Sequence, residues 1–557
     1  MSQPKDLSRI TTEDGVVVGY IERRDEKTYH KFRRIPYAKP PLGNLRFLPP
    51  LPITPWTEEL DCTKEPLTAV TWDFNQKIVG SEDCLFVDIS TPNTQPDKPM
   101  AVMFWIGSYA FFYNMDFLFD PSHINNQDIV LVRCSFRLGV FGFLSTNDMT
   151  APGNCGLKDI VLALKWVKKN IHHFGGDPNN ITIFGNSSGG AAVHYLMLSP
   201  MAAGLFHKAI IQSASALNNW AIEKNPTQPV MDLARILGIN TTCKVELLDK
   251  LRTTSVNDIM KACAKLDAEL SKNKELIDSV FKPCIEVEYE GQSAFITKSP
   301  ALLMKTGNFT KVPLIIGSNN IEGAVIQFII EDYYDFEKYN KNVHLLVPKS
   351  LGADPHTTKN IGQQLLRFYL GGEEQLREDT RTQYLQLISD YYFLYYVNKT
   401  VALLSKHSND CPIYYYVVNY AGEWAVPKDL HLFNTPGHCA EIPFVFGILS
   451  NNDGETLIKG SRDSVTTRNR MVKMWTNFAK YGNPTPNEDD PLLQITWDPV
   501  DNSERLNYLS IGSELTKGRN PFYERMKFWD NLYKEHTFLR VQMYFNDMGF
   551  SLGKTKQ

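Results

Sequence analysis

Six short runs of nearly unbroken apolar residues set the first constraint on this chain. They are AVMFWI at 101–106, DIVLV at 128–132, NITIF at 180–184, KAIIQ at 208–212, VPLII at 312–316 and IYYYVV at 413–418. A strand with one wet face alternates polar and apolar side chains, whereas a run without alternation is buried on both faces. Helical patterns lie between the runs. In GLKDIVLALKWVKKNI, Leu157, Ile160, Val161, Leu164 and Ile171 recur at three- and four-residue spacing and make one apolar face. Strands alternating with helices predict an α/β fold, a mostly parallel sheet covered by helices on both sides. No fixed-period repeat or low-complexity linker divides the 557 residues. One domain over 1–557 is expected, with helical excursions near 220–300 and 325–410, where helix formers and charge are dense.

Composition removes several function classes. A net charge of -4 gives no reason to expect nucleic acid or an anionic membrane as a partner. No window approaches 18 uninterrupted apolar residues, so no membrane span is expected. The opening MSQPKDLSRITTEDG has no apolar h-region, and LGKTKQ carries no retention or lipidation signal. As written, a cytoplasmic protein is expected, and a secreted one whose leader had been removed would read the same. Nine cysteines are too few for a disulfide scaffold, and the odd count leaves at least one free thiol. Asn240, Asn308 and Asn398 head glycosylation triplets. A monomer or weak homodimer is expected, and no metal or organic cofactor.

The chemistry centres on ITIFGNSSGGAAVHYL, where an apolar run meets a small-residue helix through Gly185-Asn186-Ser187-Ser188-Gly189. A serine hydroxyl is a poor nucleophile without a base, a group to orient that base, and donors for the oxyanion. The G-x-S-x-G spacing fits a sharp strand–turn–helix bend that leaves no room for side chains two residues either side of Ser187. In a doubly wound hydrolase sheet the partners follow in the order acid, then histidine, each after a strand. GSNNIEG after VPLII offers Glu322. After IYYYVV only His431, His438 and His536 remain. His438, in NTPGHCAEIPFVFG, precedes an apolar helical run, whereas His431 and His536 stand beside charged residues and read as surface histidines.

Eight blocks in register now make the chain recognisable: FRRIPYAKPPLGNLRF, SEDCLFVDISTP, RLGVFGFLS, PGNCGLKDIVLALKWVKKNI, FGGDPNNITIFGNSSGG, AIIQSAS, GSNNIEG and GHCAEIPFVFG. The sequence resembles the type-B carboxylesterase family, the cholinesterase-like α/β-hydrolases, and among them the insect carboxylesterases most. The resemblance implies the α/β-hydrolase fold. It implies an ester hydrolase with Ser187 as nucleophile, Glu322 as acid and His438 as base. Ser213, in QSAS, matches a family serine expected to support the acid. Cys62 and Cys84 match a family disulfide pair, and the other cysteines read as buried apolar residues.

The chain departs from the family at its oxyanion loop, usually His-Gly-Gly-Gly-Phe. Here the text is GSYAFFYN, from Gly107 to Asn114. Aligned from the preceding strand, the two amide donors are Tyr109 and Ala110. Aligned from the FLFDPS side, they are Gly107 and Ser108. Ser188, which replaces an alanine, keeps its own N–H as a donor. Asn186 replaces the usual glutamate, removing a charge near His438, and Ser135-Phe136 replaces Asn-Tyr. Phe111, Phe112, Tyr113, Phe117 and Phe119 follow the loop as candidates for a pocket wall. Three functions fit these residues. The first is a serine carboxylesterase acting on small to medium hydrophobic esters, xenobiotic or lipid-like. The second is an impaired relative that sequesters esters or traps organophosphates. The third is an adhesion-type protein on the same fold.

Overall fold

The computed structural model describes residues 6–24, 27–73, 76–114, 119–271, 279–326, 334–351, 354–408, 410–424, 435–448, 460–501 and 505–547. His431 and Phe117 lie outside them.

The apolar runs become the middle of a thirteen-stranded sheet. Its strands are β1 (Leu7–Thr12), β2 (Gly15–Arg24), β3 (Lys27–Pro36), β4 (Phe86–Thr91), β5 (Met100–Ile106), β6 (Val130–Cys134), β7 (Gly176–Asn186), β8 (Lys208–Gln212), β9 (Leu314–Asn319), β10 (Ile413–Val418), β11 (Asn507–Ile511) and β12 (Leu515–Arg519). The two-residue strand Leu60–Asp61 pairs with β2. The order across the sheet is β1-β2-β3-β4-β6-β5-β7-β8-β9-β10-β11-β12. From β6 through β11 neighbours run parallel. Apart from the parallel pairing of Leu60–Asp61 with β2, the pairs at both edges are antiparallel.

β5 shows why its run does not alternate. Val102, Phe104 and Ile106 face one hydrophobic core, while Ala101, Met103 and Trp105 face another. Both faces are dry because helices cover both. The first core takes α1 (Cys155–Asn170), whose Leu157, Ile160, Val161 and Leu164 are buried as their spacing predicts. The second takes the helix Arg462–Tyr481, through Met471, Trp475 and Phe478. α1 also buries Lys158 and Asp159, in ion pairs with Glu286 and Arg137 at 2.7 and 2.6 Å. A charge so buried is tolerated only when paired. The 220–300 stretch holds helices Thr227–Ile236, Lys244–Thr253 and Val256–Ser271, and the 325–410 stretch holds Pro355–Tyr369, Arg381–Ser389 and Tyr395–Leu404. Among the described residues no helix is long and apolar enough to cross a membrane.

The cysteines correct two expectations. All nine are free thiols, so the Cys62–Cys84 bridge implied by the resemblance is not made. The two are buried in different settings. Cys62 bonds through its backbone to Val18 and Arg33 on β2 and β3. Cys84 lies among the charges of Asp159 and Arg137. Burial pushes the Cys62 thiol up to about 12 and raises that of Cys84 as well. Nor are the others all buried, since Cys243 is exposed and Cys411 and Cys439 are half-buried.

Candidate active site

β7 ends at Asn186, and α2 (Ser188–Leu198) begins two residues later. Ser187 makes the bend at φ 57° and ψ -128°, a conformation that strains any non-glycine residue. The flanking glycines are required sterically. A Cβ on Gly189 would stand 2.1 Å from the carbonyl oxygen of Ile106, and one on Gly185 would stand 2.6 Å from the backbone of Gly189. The bend is held by the Ser187 N–H, which donates to the Gln212 carbonyl at 2.9 Å. The helix behind it is buried along its whole length, including Gly190, Ala191 and Ala192.

Three loops converge on the serine. His438 Nε2 lies 2.8 Å from Ser187 Oγ, and its Nδ1 lies 2.5 Å from Glu322 Oε2. Glu322 opens a short 3-10 turn just beyond β9, and its Oε1 accepts the Asn319 N–H at 2.6 Å. The Ile321 N–H donates to the Pro436 carbonyl at 3.1 Å, which stitches the acid loop to the histidine loop. A one-turn π-helix, Asp390–Leu394, sets the Phe393 ring 4.5 Å from the imidazole. Burial alone would lower the His438 pKa. The neighbouring Cys439 and the Glu322 carboxylate oppose it, and the net direction is well above the usual histidine value. Burial also raises the Cys439 pKa, against the opposing pull of His438. Of the two groups that favour the imidazolium, Glu322 is the one bonded to Nδ1.

A second buried carboxylate, Glu441, escaped the sequence reading. Its Oε1 accepts from Asn186 Nδ2 at 2.9 Å, Gln212 Nε2 at 3.3 Å and Ser213 Oγ at 3.4 Å, and its Oε2 accepts from Asn319 Nδ2. Burial, and then the charge of Glu322, raise its pKa, while the Asn319 bond opposes them. The Ser213 hydroxyl donates to Glu441 and accepts from Asn319 Nδ2 at 3.4 Å, and the Asn319 N–H in turn bonds Glu322. Asn186 is engaged with Glu441 and, through Oδ1, with the Cys439 thiol at 2.9 Å. Only the position of Glu441 three residues after His438 could have flagged it. Of the rejected histidines, His536 is buried, not a surface residue.

The oxyanion loop is folded tightly on itself. The Tyr109 N–H donates to the Tyr113 carbonyl at 2.9 Å, and the Tyr113 N–H donates back at 2.9 Å. Ala110 and Phe111 follow at φ 54° and 57°, both left-handed without being glycine. The Phe111 N–H donates to Ser188 Oγ at 2.9 Å, and Ser108 Oγ lies 3.0 Å from the same oxygen. The Ser108 carbonyl accepts the Gly189 N–H at 3.2 Å, and the Gly107 carbonyl accepts Asn114 Nδ2 at 3.2 Å. Among the described residues the amides of Ala110 and Ser188 have no hydrogen-bond partner. Of the pocket-wall candidates, Phe111 is fully buried against Phe143, and Phe119 packs on Phe446. Phe112 and Tyr113 stand edge to face at 5.0 Å.

The sheet and its strand–turn–helix bend define an α/β-hydrolase. The chain belongs to the carboxylesterase family: the sequence model described as "Carboxylesterase family" matches residues 6–529. It is 33% identical to a juvenile hormone esterase of Tribolium castaneum, over 93% of each chain. It is 31% identical to Esterase FE4 of Myzus persicae, over 88% of each. An acylcarnitine hydrolase of Rattus norvegicus is 32% identical over 94% of this chain and 91% of its own. Among solved structures, that of juvenile hormone esterase from Manduca sexta, with OTFP covalently attached, superposes with a TM-score of 0.82 at 28% identity. That match covers 95% of this chain and 100% of the other.

Proposed function

We propose that the protein is a serine carboxylesterase working through an acyl-enzyme on small to medium hydrophobic esters of xenobiotic or lipid-like character. The observation that carries this reading is the unbroken relay from Ser187 Oγ to His438 to Glu322, at 2.8 and 2.5 Å, on a serine held at positive φ. His438 Nε2 takes the hydroxyl proton as Oγ attacks the carbonyl carbon. The carbonyl oxygen becomes an oxyanion, which the free amides of Ser188 and Ala110 receive. When it collapses, the C–O bond to the alcohol breaks, and the leaving alkoxide takes the proton from His438. Water repeats the sequence on the acyl-enzyme, releasing the acid and restoring Ser187. Glu322 holds the imidazole with Nδ1–H toward itself and stabilises the imidazolium.

The test is hydrolysis of a short-chain aryl ester by the wild type and by Ser187→Ala. Loss of at least a thousandfold in the variant is expected, and equal rates would sink the assignment. One observation favours the second reading, stoichiometric trapping. The Tyr109 amide, one candidate donor, is already bonded to Tyr113. A fluorophosphonate probe separates the two. Labelling of Ser187 together with rapid ester turnover supports the esterase, and labelling without turnover supports the trap.

A further inference from the structure

We propose that Glu13, His172 and His173 form a surface site for a divalent transition metal, with zinc as its natural test ion. The three side chains offer ligand atoms that all lie within 4.8 Å of one another. His173 Nε2 stands 3.4 Å from Glu13 Oε1. Two ligands on one tetrahedral zinc, each about 2.0–2.2 Å from the ion, sit roughly 3.3 Å apart. One edge of the polyhedron is thus already in place. The two imidazole rings lie with centroids 3.9 Å apart. Glu13 and His172 are exposed and His173 is half-buried, so small side-chain rotations close the remaining gap.

What distinguishes this cluster from a chance surface grouping is the support beneath it. Glu13 sits in the two-residue turn between β1 and β2, and the histidines sit in the 3-10 helix Ile171–Phe174 that continues α1. Asn170, fully buried, joins the two segments. Its Oδ1 accepts the Glu13 N–H at 2.9 Å, and its Nδ2 donates to Asp14 Oδ2 at 3.2 Å and to the Trp166 carbonyl at 3.1 Å. Lys169 Nζ adds an ion pair to Asp14 at 2.9 Å. The two backbones are locked together, and only the exposed side chains have to be ordered when an ion binds. Lys169 is turned to Asp14, so its charge is matched there.

Two imidazoles and a carboxylate suit zinc or another late divalent ion, with water completing the shell. The site is separate from the serine. The histidines precede the start of β7 and Ser187 follows its end, and an eleven-residue strand spans about 30 Å. A bound ion would clip the N-terminal hairpin to the end of α1, which is a stabilising role with no part in ester chemistry.

The experiment is calorimetric titration of Zn²⁺ into the full-length protein, the His172→Ala/His173→Ala double variant and Glu13→Gln. All three substitutions lie outside the buried Asn170–Asp14 lock, so the variants should keep their far-UV spectra. The wild type is expected to show a one-to-one step at micromolar zinc. That step should weaken at least tenfold in the double variant and severalfold in Glu13→Gln. Zinc should also raise the thermal midpoint of the wild type and leave that of the double variant unmoved. Zinc reaching His438 would appear equally in all three proteins. An isotherm unchanged by the double substitution, or no uptake by the wild type at submillimolar zinc, overturns the site.

Discussion

Ser188→Ala restores the residue usual in the family and should nevertheless impair this protein. Ser188 Oγ accepts the Phe111 N–H at 2.9 Å and meets Ser108 Oγ at 3.0 Å. Phe111 and Ser188 are 0% exposed, so water cannot replace the lost partner. Leaving one buried amide unsatisfied costs about 1–3 kcal/mol. The same bond pins a loop in which Ala110 and Phe111 are both left-handed, a backbone that persists only where its surroundings hold it. Once released, the loop carries the Ala110 amide away from the oxyanion. Losing one such donor costs roughly 3 kcal/mol, or about a hundredfold in rate. The two terms predict a fall in kcat of about 10–100-fold, since the loop relaxes only partly. KM should stay within about twofold, because the lost donor acts in the transition state.

The assay is steady-state hydrolysis of a p-nitrophenyl ester with a parallel thermal melt. Ser108→Ala is the control, because it removes the hydroxyl pair and keeps the bond to Phe111, so it should have a much smaller effect. A Ser188→Ala protein with wild-type kcat and an unchanged melt would refute the argument. The Ser188 hydroxyl would then be a bystander, and the strained loop would be holding itself.

Three further predictions follow from the same geometry. The rate needs a neutral imidazole, and the His438 pKa is raised. The acid limb of kcat/KM should therefore lie above pH 6.5, and Glu322→Gln, which removes the favouring charge, should move any residual limb downward; an upward shift would contradict the assignment. Gly189→Ala places a methyl 2.1 Å from the Ile106 carbonyl oxygen, a backbone atom that cannot swing aside as a side chain would. It should cost about 1–3 kcal/mol or more, abolish activity and lower the thermal midpoint, and an active, equally stable variant would show that the bend is softer than its contacts imply. Glu441→Gln can keep a carbonyl oxygen toward Asn186, Gln212 and Ser213, but its NH2 then faces the Asn319 amide, which also donates. It should destabilise by about 1–3 kcal/mol in a denaturant melt, whereas a neutral result would mean that Glu441 is protonated in the native protein.

What the sequence disclosed, and what it withheld, divides along a physical line. The middle strands were legible because burial on both faces removes alternation, as in β5, whose seven residues are all buried. The antiparallel edge was not, because β1 to β3 mix exposed charged residues with buried ones, and no apolar run marks them. Gly185 and Gly189 could be read as steric requirements, since a missing side chain leaves its mark in the sequence itself. The loop at 107–114 could not be read the same way. Its donors depend on which carbonyl each amide finds, and residue type does not encode that choice. Tyr109 and Ala110 looked equivalent in an alignment, yet one amide is bonded across the loop and the other is open.

Glu441 illustrates the same limit for side chains, and it also explains Asn186. A glutamate at 186 would set a second carboxylate against Glu441 in a pocket where both positions are at most 1% exposed. Like charges that close cannot both ionise, and one would have to hold a proton. Asparagine instead donates its amide hydrogen to Glu441 and accepts the Cys439 thiol hydrogen. Cys439 stands at φ 67°, where glycine is easier, so the thiol occupies a strained position whose compensating feature is that bond. Asn186 thus links Cys439, 253 positions away in the chain, to Glu441. Asn186, Gln212, Ser213 and Asn319 satisfy the buried carboxylate with neutral donors, while Glu322 bonds His438.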